Sequence, residues 1–323
     1  MTTFKEIRGT AVRSLSSDPS NPETGQLWYN NSIGVLKGYA LTAAAWAAGG
    51  NMATARTSLG GCGTQTAGLG FGGYVFGTGN KNNTEEYDGS AWTSGGNLGT
   101  ARRELAGCGT QTAGLGFGGF DTANTAATEE YDGSTWTGGG NLGTARRGLG
   151  SAGTQTSGLG FGGITTVVVA NTEEYDGSSW TGGGNMGTAR RLLAGCGTQT
   201  LALGFGGYTT TEQSATEEYD GTSWTAGGSL NTARKSLAGC GTQTAGLAFG
   251  GATSTGDSNA TEEYDGSTWT NGGSLTTARR QLGGAGTQTA GLGFAGYDGS
   301  NLTVTEEYTG AALAVKTITT STS

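Results

Sequence analysis

Residues 128–147 read TEEYDGSTWTGGGNLGTARR, placing two glutamates, an aspartate, a tyrosine, a tryptophan and two arginines within twenty positions. Paired carboxylates can move protons, and arginines can hold an anion through their five-donor forks. That chemistry needs an element that aims both carboxylates at one place. A strand does the opposite: Glu129 and Tyr131 point to one face, Thr128 and Glu130 to the other. A catalytic dyad also needs one asymmetric environment to separate two pKa values, whereas TEEY recurs six times, ending at Tyr87, Tyr131, Tyr175, Tyr219, Tyr264 and Tyr308. The charges are therefore expected to be scaffold, with the arginines bonding loop carbonyls and ion-pairing from one repeat to the next.

The other motifs keep the same period. TAR ends at Arg56, Arg102, Arg146, Arg190, Arg234 and Arg279, and GTQT begins at Gly63, Gly109, Gly153, Gly197, Gly241 and Gly286. Each unit reads as four strands: a small-residue stretch such as ELAGCGTQ, then AGLGFGG, then TEEY, then STWT. The Asp132-Gly133 pair predicts a two-residue type I′ hairpin between the last two. No segment carries a capped helical period. Sixty-seven glycines against two prolines, with aromatics at regular intervals, fit short strands joined by tight turns.

Several functions lose support on composition. A net charge of −8 gives no reason to expect nucleic-acid binding. No run is apolar enough to span a membrane, and the N-terminus lacks the apolar core of a secretory signal. The chain has no histidine, which removes the commonest general base and transition-metal ligand. Cys62, Cys108, Cys196 and Cys240 occupy one equivalent position, where Ala152 and Ala285 stand in the other units. They are expected to be free, buried and inert, too far apart for disulfides and without zinc spacing. No cofactor, metal site or enzymatic activity is expected.

Four strands repeated every 44 to 46 residues, with a glycine pair, a tyrosine, a tryptophan and an arginine in that order, resemble the kelch repeat. The resemblance implies an all-β, six-bladed β-propeller of four-stranded antiparallel blades over residues 42–323, preceded by a segment over 1–41. The sixth unit, TEEYTGAALAV, lacks its tryptophan, while Trp46 stands ten residues before Arg56, as Trp92 does before Arg102. Residues 42–50 are thus expected to complete the last blade, with the tail AALAVKTITT competing for that place or adding a strand beside it. Kelch-like copper oxidases use histidine, which is absent here, and YDGSTW departs from the sialidase Asp-box in its Asp–Gly spacing.

The units differ most between GFGG and TEEY, in loops expected on the same face as the TARR turns. Variable loops on a rigid scaffold are where recognition concentrates. Tyr74, Phe76, Phe120, Ile164, Tyr208 and Tyr297, with Arg102, Arg146, Arg190, Arg234 and Arg279, form the candidate partner face, for a host glycan or protein. A ring of arginines holding an anionic ligand is the sharper variant.

Residues 1–40 fall outside the repeat. QLWYN and VLKGY read as two strands joined through NSIG. The stretch resembles N-terminal segments of marine bacteriophage structural and tail-fibre proteins. That resemblance implies a virion component attached through Trp28, Tyr29, Leu36 and Tyr39 to other virion proteins or to copies of itself. A non-enzymatic structural or appendage protein of a phage virion, a tail fibre or surface-displayed propeller, is the function expected, with a lectin-like or protein-binding propeller that recognises a host surface ligand through the variable loops as the alternative.

Overall fold

The computed structural model describes residues 12–318, and these contain strands, turns and connecting loops with no helix. The chain divides into two compact units, Ala45–Gly310 and a smaller one built from residues up to Ala44 and from Ala311 onward.

The larger unit holds six four-stranded antiparallel sheets, the repetition expected of a β-propeller. In the second repeat the strands are Ala106–Thr110, Ala113–Phe117, Thr128–Tyr131 and Trp136–Gly138, paired in chain order. The sixth sheet takes Gly283–Gly286, Ala290–Phe294 and Thr305–Thr309 from the C-terminal side. Its fourth strand is Ala45–Ala48, which sets Trp46 opposite Tyr308. The first strand of each sheet packs on the first strand of the next, and that of the sixth packs on Gly60–Thr64 of the first.

Glycine permits that approach. A side chain at Gly107 would begin 2.5 Å from Cζ of Phe71 in the preceding sheet. The buried Phe71 ring lies against Trp136 at 4.7 Å between centroids, and every seam repeats the contact, ending with Phe249 on Trp46 and Phe294 on Trp92. Such offset aromatic pairs add about 0.5–1.5 kcal/mol beyond their buried area.

Next to the axis, one backbone position per repeat lies in the left-handed region: Ser58, Glu104, Gly148, Leu192, Ser236 and Gln281, with φ between 52° and 61°. Each donates its amide to the carbonyl of its counterpart in the preceding repeat at 2.7–2.9 Å, and Ser58 donates to Gln281. Six peptide groups thereby form a closed hydrogen-bonded circle, with Leu59, Leu105, Leu149, Leu193, Leu237 and Leu282 buried beside it.

Two sequence expectations need correction. The Asp-Gly hairpin is a four-residue loop, because Tyr131 pairs directly with Trp136. Gly133 alone takes positive φ, at 91°. The Asp132 carboxylate accepts the amides of Ser134 and Thr135, an Asx turn that removes the need for a second positive φ. The tail is not shared with the repeats either. Ala312–Thr317 pairs with Val35–Thr42, so the boundary lies at Ala45 and Gly310 and not at residue 42 alone.

The smaller unit is one mixed sheet in the order Arg13–Leu15, Leu27–Asn30, Val35–Thr42, Ala312–Thr317, its first pair parallel. Asp18 organises it. Its carboxylate accepts from Lys37 at 2.7 Å and from Trp28 Nε1 and Asn30 Nδ2 at 3.0 Å each. Those bonds, the lysine first, hold its pKa at about 2.

Candidate functional site

The TARR and TEEY charges come together as buried structure. Arg146, with no exposed surface, donates from one terminal nitrogen to the carbonyls of Gly162 and Asn171, and from the other to the Gly160 carbonyl. The second nitrogen also lies 3.1 Å from Glu173 Oε1. Oε2 of Glu173 accepts the Gly143 amide, three residues before the arginine. The pair therefore clamps the linker to the sheet it leads into. Arg56–Glu85, Arg102–Glu129, Arg190–Glu217, Arg234–Glu262 and Arg279–Glu306 repeat the pair at 2.9–3.2 Å. Burial pulls Arg56 and Arg279 down to about 10, leaving them cationic at neutral pH. Arg102, Arg146, Arg190, Arg234 and Arg279, expected on the partner face, are withdrawn from it: they are buried, with their terminal nitrogens held by carbonyls and carboxylates.

Ion pairs link some repeats, as Arg147–Glu104, Lys235–Glu212 and Arg280–Asp257 do, but the link common to every seam is carried by other groups. The second glutamate of TEEY leaves the opposite face and accepts from the tyrosine of the next sheet. Tyr175 donates to Glu130 and Tyr219 to Glu174, both at 2.5 Å, and Tyr87 to Glu307 closes the series. Burial first, then the carboxylate partner, pushes Tyr87, Tyr131, Tyr175, Tyr219 and Tyr264 up to about 12, and Tyr308 higher still. Each of the six tryptophans in the repeated sheets donates to the TEEY threonine of the preceding sheet at 2.9 Å, Trp46 to Thr261 among them. The glutamine of GTQT, which sequence reasoning passed over, joins the same seam: Gln155 Nε2 donates to the carbonyls of Gly114 and Tyr131. An amide repeated six times among small residues was its only signal. The four cysteines are free and buried, and burial pushes Cys108 and Cys196 up to about 12.

On the accessible surface, the loop face is where the repeats differ. The first residue after each glycine pair bridges to the residue after the buried arginine, as in Phe120 with Arg103, Ile164 with Arg147 and Tyr208 with Arg191. Four of these six positions carry a ring, Tyr74, Phe120, Tyr208 and Tyr297, and five of the residues bridged to them carry a cation. The Arg103 guanidinium lies 4.7 Å from the ring centroids of both Tyr74 and Phe120, and Arg147 lies 4.7 Å from Phe120. Lys235 is 4.3 Å from Tyr208, and Arg280 is 4.9 Å from Tyr297. Where the first repeat has Thr57 in place of a cation, Phe76 fills the gap, 5.2 Å from Tyr74 and 5.0 Å from Tyr297. It is 57% exposed, an uncovered aromatic in a belt otherwise half-buried.

In the smaller unit the expected attachment residues part company. Trp28 is fully buried and so unavailable to a partner, its indole fixed by Asp18. Leu36 and Tyr39 are half-buried, and Tyr29 is exposed. No protein-family model matches this chain, and no curated protein is similar to it at a significant level.

Proposed function

We propose that this chain is a non-enzymatic, six-bladed kelch-type propeller borne on a phage virion as a tail-fibre or surface appendage, and that the loop face recognises a host surface ligand. One observation carries the recognition part. The first arginine of TARR, the TEEY glutamates, the tyrosines, tryptophans and glutamines spend their polar groups inside the scaffold, while the loops that differ hold accessible aromatics, with the second basic residue of TARR against them. A rigid ring presenting six unlike loops is the arrangement expected of a recognition surface. The virion part is supported by the resemblance of residues 1–40 to phage structural proteins, and attachment falls to that segment, to other virion proteins or to further copies of the chain. A lectin-like propeller is the same reading with the ligand specified as a glycan.

A glycan array probed with the full chain tests the face. Hits that disappear when loops 74–83 and 120–127 are exchanged support it, and hits indifferent to the exchange overturn it. Gene order tests the virion assignment: capsid or tail genes alongside support it, and a metabolic operon sinks it.

A further inference from the structure

The sixfold repeat supplies its own control for the cation belt. In four sectors the loop of one repeat provides an acceptor for the cation of the next. Asn80 Oδ1 accepts from Arg103 at 3.0 Å and Asn124 Oδ1 from Arg147 at 2.7 Å. Glu212 meets Lys235 at 2.9 Å, and Asp257 meets Arg280 at 2.5 Å. In the fourth repeat the pattern fails. The acceptor position, bridged to Ile164 as Asn124 is to Phe120, holds Val168. Arg191 accordingly has no side-chain acceptor among the described residues; its Nε is buried without a partner, as is that of each scaffold arginine, but their terminal nitrogens are occupied and those of Arg191 are not.

We propose that Arg191 anchors a site for an acidic sugar, its guanidinium taking the carboxylate or sulfate of a surface glycan. This inference rests on the reading of the loop face as a recognition surface. A guanidinium fork matches a planar two-oxygen anion, and an unpaired one beside apolar side chains is poorly compensated until such a group arrives. The neighbours suit a sugar ring. The Tyr208 ring lies 5.4 Å from the guanidinium, and the adjoining loop carries Thr209, Thr211 and Gln213, already hydrogen-bonded together at 3.0–3.2 Å. Leu192 of the axial circle follows Arg191; Val167, 64% exposed, precedes Val168; and the Glu212 carboxylate of the Tyr208 loop is taken by Lys235.

The test is calorimetric titration of the full chain with oligogalacturonate, a sulfated galactan oligosaccharide, a neutral galactan oligosaccharide, tetraglutamate and inorganic sulfate. At least one acidic oligosaccharide should bind about tenfold more tightly than the neutral one, the margin of a charged hydrogen bond. The tighter of the two names the anion. Arg191→Gln should remove that margin. Val168→Asn should remove it too while leaving the cation in place, because it rebuilds the acceptor that Asn124 gives Arg147. Lys316→Gln, which removes a positive charge from the smaller unit, should change nothing. Unaltered melting of Val168→Asn excludes unfolding as the cause. Acidic binding that survives Val168→Asn, or no preference over the neutral oligosaccharide, overturns the site. Tetraglutamate or sulfate binding as tightly as the sugars overturns the glycan assignment. If only neutral glycans bind, and binding follows the loops, this inference fails while the recognition face stands. If no glycan binds and loop exchange is silent, that reading fails as well.

Discussion

Removing one partner of the Arg146–Glu173 clamp leaves the other charge buried and uncompensated. Arg146→Ala or Glu173→Ala should cost about 3–5 kcal/mol in denaturant unfolding. Arg146→Lys should recover little, since one ammonium cannot replace a fork that reaches three carbonyls and a carboxylate. The tyrosines set an alkaline limit. Their folded pKa, about 12, lies above the ordinary tyrosine value of about 10, so the neutral form is favoured in the native state. The associated stability is complete below pH 10 and is lost as pH rises through 12. Melting temperature should fall steeply in that window together with the appearance of tyrosinate absorbance. Tyr131→Phe should lower stability at neutral pH and soften the fall.

At the scale of elements, the axial circle stores strain. Five of its six residues carry a side chain in the left-handed region, which costs roughly 1–2 kcal/mol each. Ser236→Gly should therefore stabilise the protein by about 0.5–1 kcal/mol, less than the strain relieved because glycine adds entropy to the unfolded chain. Equilibrium denaturation checks this, and a loss of stability would mean that the serine side chain does more than fill space. Period, strand count and the split of each TEEY across two faces were legible in the sequence, because strand alternation depends on residue order alone. The destination of each charge was not. Arg102 and Arg103 are adjacent and chemically alike, yet the first is buried in a carbonyl cage and the second lies between two rings on the loop face. The difference comes from where the linker crosses between sheets, a long-range property. The left-handed circle was equally hidden, since Ser58, Glu104, Leu192 and Gln281 are poor left-handed residues and only Gly148 hints at it. Trp28 misled for the opposite reason, an aromatic in a short hairpin turning out to be that sheet's core.

For the whole molecule, the seam closed by Trp46 differs from the other five in connectivity alone. Trp136 sits on a strand joined to its neighbour by a four-residue loop, whereas Ala45–Ala48 reaches its sheet from the far end of the chain. Trp46→Ala and Trp136→Ala should each cost about 3–5 kcal/mol. Only the first frees a strand with no short turn to hold it, leaving Thr305–Thr309 as an open edge. Light scattering on warming should rise for Trp46→Ala well below its melting temperature and stay flat for Trp136→Ala; equal behaviour would mean that the closing strand is held by other contacts. The same connectivity has a consequence during synthesis. Trp46 emerges from the ribosome 215 residues ahead of its hydrogen-bond partner Thr261. At elongation rates of roughly 5–20 residues per second, the strand waits about ten seconds or more with its tryptophan uncovered. Five sheets can assemble as they are made, but the sixth cannot finish until Thr305–Thr309 has emerged, so the nascent chain carries a sticky unpaired strand while all six repeats are being made.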